Sequence, residues 1–167
     1  MNLRPEILLH PNIPKPLHGL APRTILGQEW WNKQRQIAYA KTDYHCMACG
    51  THKSKALFYR WLEAHELYDL DYAKGRMTMR EIVALCHACH NYIHSGRMRA
   101  MVKKGQMSAA KEALILAHGD TILKAAKLRK PELPINVAAW KDWRLILDGI
   151  EYKGRFASPE NWRSYYE

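Results

Sequence analysis

At 167 residues the chain is long enough for one domain, or a small module with appendages, and can bury roughly 68–70% of its extended surface. Hydrophobic residues at 47% and charged residues at 25% fit a soluble globular protein and exclude a disordered tail, a collagen-like chain and a disulfide miniprotein. The formal net charge of +10, with a pI near 9.5, favours a polyanionic partner. No apolar run reaches the roughly 18 residues of a transmembrane helix. The opening MNLRPEILLHPNIPKP lacks the long apolar core and small-residue cleavage site of a signal peptide, so a cytoplasmic location is expected.

The charge is unevenly placed. Residues 1–42 carry +4, residues 43–94 are neutral, residues 95–130 carry +7, and residues 131–167 carry −1. The cationic excess therefore flanks a neutral middle and peaks just after it. A solvated helix face would also carry such a run.

Along the chain, the first 22 residues hold five prolines and no sustained period, which predicts an extended arm. Gly27 to Ala40 then shows helical spacing, with Trp30 and Trp31 on an aromatic stripe expected to face a core. Residues 1–43 thus form an arm and a Trp-rich helix, and residues 44–98 form the chemically informative core. Residues 99–130 form a basic helical segment in which Ser108 caps one helix, Gly119 closes it and Asp120 caps a second. Residues 131–167 form a cap. Its two short β-prone runs are joined by Asp148-Gly149, a strong hairpin signal, and Ser158-Pro159-Glu160 opens a terminal helix.

Within the core, Cys46-Met-Ala-Cys49 and Cys86-His-Ala-Cys89 are two C-x-x-C pairs separated by 36 residues. Two intervening residues let both thiolates of a pair approach one ion across a tight turn, for which Gly50 supplies conformational freedom. Two such pairs complete the tetrahedral sulfur shell of structural Zn2+, with Cys46, Cys49, Cys86 and Cys89 as ligands. The alternatives are redox pairs or four buried thiols, although no βαβ context supports a thioredoxin-like motif.

Between the pairs, Trp61-Leu-Glu-Ala-His65-Glu66 and Arg80-Glu-Ile-Val-Ala-Leu85 are apolar and partly alternating, as strands are. Beyond Cys89, His90 and His94 stand at i and i+4, stacked on one helix face, with His87 on its adjoining part. Strand, strand and helix make a ββα unit pinned at its turns. The stretch from Cys46 to His94 resembles the zinc-stapled form of the HNH, or ββα-metal, nuclease family. That family has two adjacent residues ending the first strand, usually His-His or Asp-His. Fourteen residues later comes Asn, eight further a His, and three further a last His. Here His65-Glu66, Glu81, His90 and His94 keep every interval.

The resemblance covers about 50 of the 167 residues, and it implies an α+β protein: a zinc-stapled ββα-metal core with flanking helices and a C-terminal β-hairpin plus helix. It also implies a second divalent metal (Mg2+, Mn2+, Ni2+ or Zn2+) on His65, His90 and His94, hydrolysis of DNA phosphodiesters, and a bacterial or phage source. Glu66 stands where the family's general base, usually His, would be, and serves as base or as a further ligand. Glu81 replaces the Asn that positions the loop bearing the base. Arg97, Arg99, Lys103 and Lys104 follow the last histidine and are expected to contact the DNA backbone. The terminal hairpin faintly resembles the β-ribbon DNA-binding modules of some homing nucleases, but its charge of −1 favours a packed cap. The rival reading is a catalytically degenerate HNH scaffold, a nucleic-acid-binding or protein-binding module such as a phage inhibitor, which the residues at 66 and 81 favour. No membrane role is expected.

Overall fold

The computed structural model describes residues 2–167, an α+β protein with a four-stranded sheet and six α-helices among the described residues. The N-terminal arm is less extended than its prolines suggest. It is folded into two 3-10 turns, Pro5–Leu9 and Lys15–Leu17, and a short helix, α1, over Pro22–Leu26. Each of these opens with a proline in its first turn, where the missing N–H is no loss. Helix α2 spans Gln28–Lys41 and buries only Ala38 and Tyr39, while Trp30 and Trp31 are half-buried. Among the described residues no helix is long and apolar enough to cross a membrane.

The two strands of the insert are longer than the sequence pattern suggests. β1 spans Leu62–Asp71 and β2 spans Arg76–Cys86, with Gly75 at φ +65° in the turn between them. Asp69 and Asp71 belong to β1, where Arg80 donates to Asp69 at 3.3 Å. α3 (His87–Ile93) follows β2 directly, and His94, with ψ of 38°, separates it from α4 (Ser95–Lys103).

α5 spans Ala109–Ala125, with the Ser108 side chain accepting from the Lys111 N–H as an N-cap. It does not stop at Gly119. A Cβ there would lie 2.1 Å from the Tyr92 ring of α3, and Tyr92 donates its hydroxyl to Asp120 at 2.7 Å. The glycine is a packing notch that lets an aromatic ring meet the α5 backbone, and tertiary contact overrides its tendency to end a helix. β3 (Arg144–Leu147) and β4 (Ile150–Lys153) form the expected hairpin, with Asp148 and Gly149 both at positive φ as a tight primed turn requires. α6 (Pro159–Tyr166) is capped by Ser158, which accepts from the Asn161 N–H.

The strand order is β1-β2-β3-β4, with β2 and β3 parallel in the register Met77↔Leu145. The chain divides into two compact units. The first runs up to Asn12 and includes Gln34–His65 and Ile82–Pro131; the second comprises Ile13–Lys33, Glu66–Glu81 and Glu132–Glu167. In the first, α3 packs on α4, α5 and the Pro5–Leu9 turn, burying Ile7, Leu8, Val83, Leu85, Met98 and Ile115. In the second, Leu17, Tyr68, Met77, Trp143, Leu145 and Leu147 form one apolar cluster. Both metal-type clusters lie in the first unit.

In an exposed helix Gly→Ala stabilises by up to about 1 kcal/mol. Gly119→Ala is expected to do the reverse, destabilising by about 1–3 kcal/mol because the added methyl overlaps the Tyr92 ring. A lowered denaturant midpoint reads this out, and an unchanged or raised midpoint would show that the ring turns aside.

Candidate metal centres

The first cysteine pair sits on a tight knuckle. The Cys46 N–H donates to the Thr51 carbonyl at 2.9 Å, and the Gly50 N–H donates to the Cys46 carbonyl at 2.8 Å, with Gly50 at φ +75°. That left-handed backbone is the reason glycine is favoured there. The Met47 N–H donates to the Ala84 carbonyl at 2.9 Å, tying the knuckle to β2 just before Cys86. Cys86 ends β2 and caps α3, and Cys89 lies in the first turn of that helix. The four cysteines are free of disulfides, and their sulfurs all lie within 4.8 Å of one another.

The spacing has a direct interpretation. Metal–sulfur bonds of about 2.3 Å in a tetrahedron put the sulfurs about 3.8 Å apart. The Cys49 and Cys86 sulfurs are 3.8 Å apart. Crowding also splits the thiol acidities. Cys49 is pulled far below its ordinary value, first by the hydrogen bond from Cys46 and then by Cys86 and Cys89, while Cys86 and Cys89 are pushed far up, first by Cys46. Four sulfurs this close cannot all ionise unless a cation sits among them, and that donor set can hold a metal ion. His118 of α5 adds a nitrogen 3.6 Å from the Cys89 sulfur.

The second cluster gathers His65 of β1, His90 of α3 and His94 just after it, whose ligand atoms also lie within 4.8 Å of one another. The His90 and His94 ring centroids are 4.7 Å apart, as an i, i+4 pair on one helix face dictates. His65 Nδ1 lies 3.2 Å from His94 Nε2. His65 is only 3% exposed. Burial, then the neighbouring histidines, holds its imidazole far below the ordinary value, at about 2; burial and His90 bring His94 to about 4. Both rings are therefore neutral at physiological pH, the form that donates to a metal.

Two further residues bind this cluster, and neither stood out in the sequence. Glu63 lies two residues before His65 on β1, so both project from the same face of the strand. His87 donates from Nδ1 to one Glu63 oxygen at 2.6 Å, and His90 donates from Nδ1 to the other. Burial alone would raise the Glu63 carboxyl, but the two imidazole hydrogen bonds outweigh it and bring the carboxyl down to about 2. A fixed carboxylate on Nδ1 leaves His90 Nε2 as the donor atom, the carboxylate–histidine arrangement that orients metal ligands. On the other side, His10 of the N-terminal arm places Nδ1 3.3 Å from His65 Nε2, with the rings edge to face at 5.0 Å. Period-two alternation carries the signal for Glu63 once the strand is known. His10, 55 residues away in sequence, carries no such signal.

Glu66, singled out from the sequence, follows His65 on β1, so strand alternation sets it on the opposite face; it is half-buried there, and its charge helps burial raise the Tyr68 hydroxyl. Glu81 lies on β2. Arg97, Arg99, Lys103 and Lys104 are all exposed at α4 and its end. At about 100° per residue Arg97 and Lys104 fall on one side of the helix and Arg99 and Lys103 on the other, so the four do not make one patch. Arg97 is the one whose charge reaches the histidines, contributing to the lowered value of His94. No known protein family matches this chain, and no curated protein or solved structure is detectably similar to it.

Cys86→Ala is expected to remove metal from the sulfur site and unfold the first unit, read by metal analysis and circular dichroism. Glu63→Gln is expected to weaken metal binding at the histidine site by about 10- to 100-fold while leaving the sulfur-bound ion in place. Titration of the sulfur-loaded protein with Co2+, followed calorimetrically, separates the two sites, and unchanged affinity in Glu63→Gln would remove the orienting role of that carboxylate.

Proposed function

We propose that the chain is an HNH-type, metal-dependent endonuclease that hydrolyses DNA phosphodiester bonds, stapled by zinc at Cys46, Cys49, Cys86 and Cys89. The observation that carries the reading is the convergence of His65, His90 and His94, the residues the family spacing selects, beside a four-sulfur site. The soft sulfur tetrahedron favours zinc, and its role there is architectural. Three neutral imidazoles with carboxylate support fit a divalent ion that keeps open positions. Such an ion supplies neutralisation of the charge that builds on the phosphate and the leaving oxygen.

The chain's own part is to hold the imidazoles still and to manage a proton. Water oxygen bonds to phosphorus as the bond from phosphorus to the leaving oxygen breaks; the family spacing gives the water's proton to Glu66, although strand alternation sets Glu66 on the face of β1 opposite His65. A carboxylate with an ordinary pKa of about 4.3 is ionised at neutral pH and can accept it, with less driving force than imidazole. Arg97, by its influence on His94, is the cation best placed to meet a phosphate next to the cut; Arg99, Lys103 and Lys104 add non-specific backbone affinity.

The carboxylates at 66 and 81 favour a second reading, a degenerate HNH scaffold that binds nucleic acid or a protein without cutting. Cleavage of plasmid or of a labelled single strand with Mg2+, Mn2+ or Ni2+ decides between them. The nuclease reading expects cleavage of at least one of the two by the wild type and its loss in His65→Ala and His94→Ala with the sulfur-bound zinc retained. Binding without cleavage of either under every metal supports the scaffold. Glu66→His should preserve or raise activity, and full activity in Glu66→Ala would remove Glu66 as the base.

A further inference from the structure

The segment leading into β1, Leu57-Phe-Tyr-Arg-Trp61, presents an unusual surface. Leu57, Phe58 and Trp61 are 42%, 36% and 52% exposed. Such side chains are ordinarily turned inward, and Phe58 is held out by a backbone at φ +75°, a costly conformation for a bulky residue. Tyr59 and Trp61 are stacked, with ring centroids 4.3 Å apart and planes 14° from parallel. Tyr59 is braced from the side by His87, edge to face at 4.5 Å. Lys111 of α5 sits 4.5 Å from the Tyr59 ring centre and 4.9 Å from that of Phe58, and it donates to the Tyr59 hydroxyl at 3.2 Å. Arg60, also exposed, lies between the stacked pair in sequence.

Rings held in stacking geometry, exposed and interleaved with cations, match the chemistry of unpaired nucleic acid. Every base offers a π-face to an aromatic platform, and the phosphates on either side of it take the cations. In a duplex those faces are occupied by neighbouring base pairs, so only the unpaired strand can use such a platform. A purely apolar partner would leave Arg60 and Lys111 desolvated without a countercharge. The segment is also linked by hydrogen bonds to the histidine cluster: His87, which braces Tyr59, shares the Glu63 carboxylate with His90.

We propose that Trp61, backed by Tyr59 and flanked by Phe58, is a stacking platform for an unpaired nucleobase, and that single-stranded nucleic acid is the substrate class of the site. The platform as a binding site stands on these side chains; its role in choosing a substrate rests on the nuclease reading. The test uses the full zinc-loaded chain carrying His94→Ala, so that binding is read without cutting. Fluorescence anisotropy then compares a labelled single strand with the same sequence annealed as a blunt duplex.

Tighter binding of the single strand is expected, with a loss of roughly 5- to 150-fold on Trp61→Ala, substantial recovery in Trp61→Phe, and little change for the duplex. Equal single-strand affinity with and without Trp61, a preference for duplex, or binding to neither overturns the platform. Zinc content and circular dichroism establish that the exposed Trp61→Ala variant is folded. Nicking of duplex by otherwise wild-type protein, unaffected by Trp61→Ala, removes single strands as the substrate class and leaves the nuclease reading standing. Trp61-dependent strand binding by a protein that never cuts sinks the nuclease reading and leaves the platform standing.

Discussion

Four sulfurs held within 4.8 Å of one another are an electrostatic problem before they are a fold. As thiolates they repel one another in a pocket where three of the four are buried. A dication at the centre of the tetrahedron resolves that conflict. Much of the first unit follows from this meeting. The Cys46 knuckle is tied to the end of β2, β2 passes directly into α3, and α3 carries His90 with His94 at its end. Fixing the sulfurs therefore fixes where the helix starts and which way its imidazoles face.

The histidine cluster is built differently. Its members come from a strand, a helix and an arm, and no single covalent spacing brings them together. Order comes from hydrogen bonds that settle which nitrogen of each ring is free. Glu63 occupies Nδ1 of both His87 and His90, and His10 meets Nε2 of His65. A ring with one nitrogen engaged has one direction left in which to donate, and this is how a loose group of imidazoles becomes directional.

What could be read from the sequence divides along the same line. The C-x-x-C pairs, the i, i+4 histidines and the Asp148-Gly149 hairpin were legible because each is a local spacing with one geometric consequence. The gathering of His65 with His90 and His94 was legible only through a family's intervals, since the 24 residues between His65 and His90 say nothing by themselves about where the strand ends relative to the helix. Glu63 was overlooked because a carboxylate in a strand looks like surface until the pleat is known. Gly119 was misread as a helix end because the Tyr92 ring that needs the gap belongs to another helix. Trp30 and Trp31 kept their helical spacing but not their expected burial, since periodicity locates a face without saying what covers it.

The arm that carries His10 has one more property. His10 directly precedes Pro11, and a residue in that position is steered by the proline ring toward extended backbone, where its φ of −55° and ψ of 127° place it. Pro5, Pro14 and Pro16 stiffen the stretch on either side. A chain so constrained gives up less freedom on docking than a glycine-serine tether of equal length would. The imidazole thus reaches the cluster on a support that is largely set before it arrives, and a site assembled from distant parts of the chain gains one member at small entropic cost.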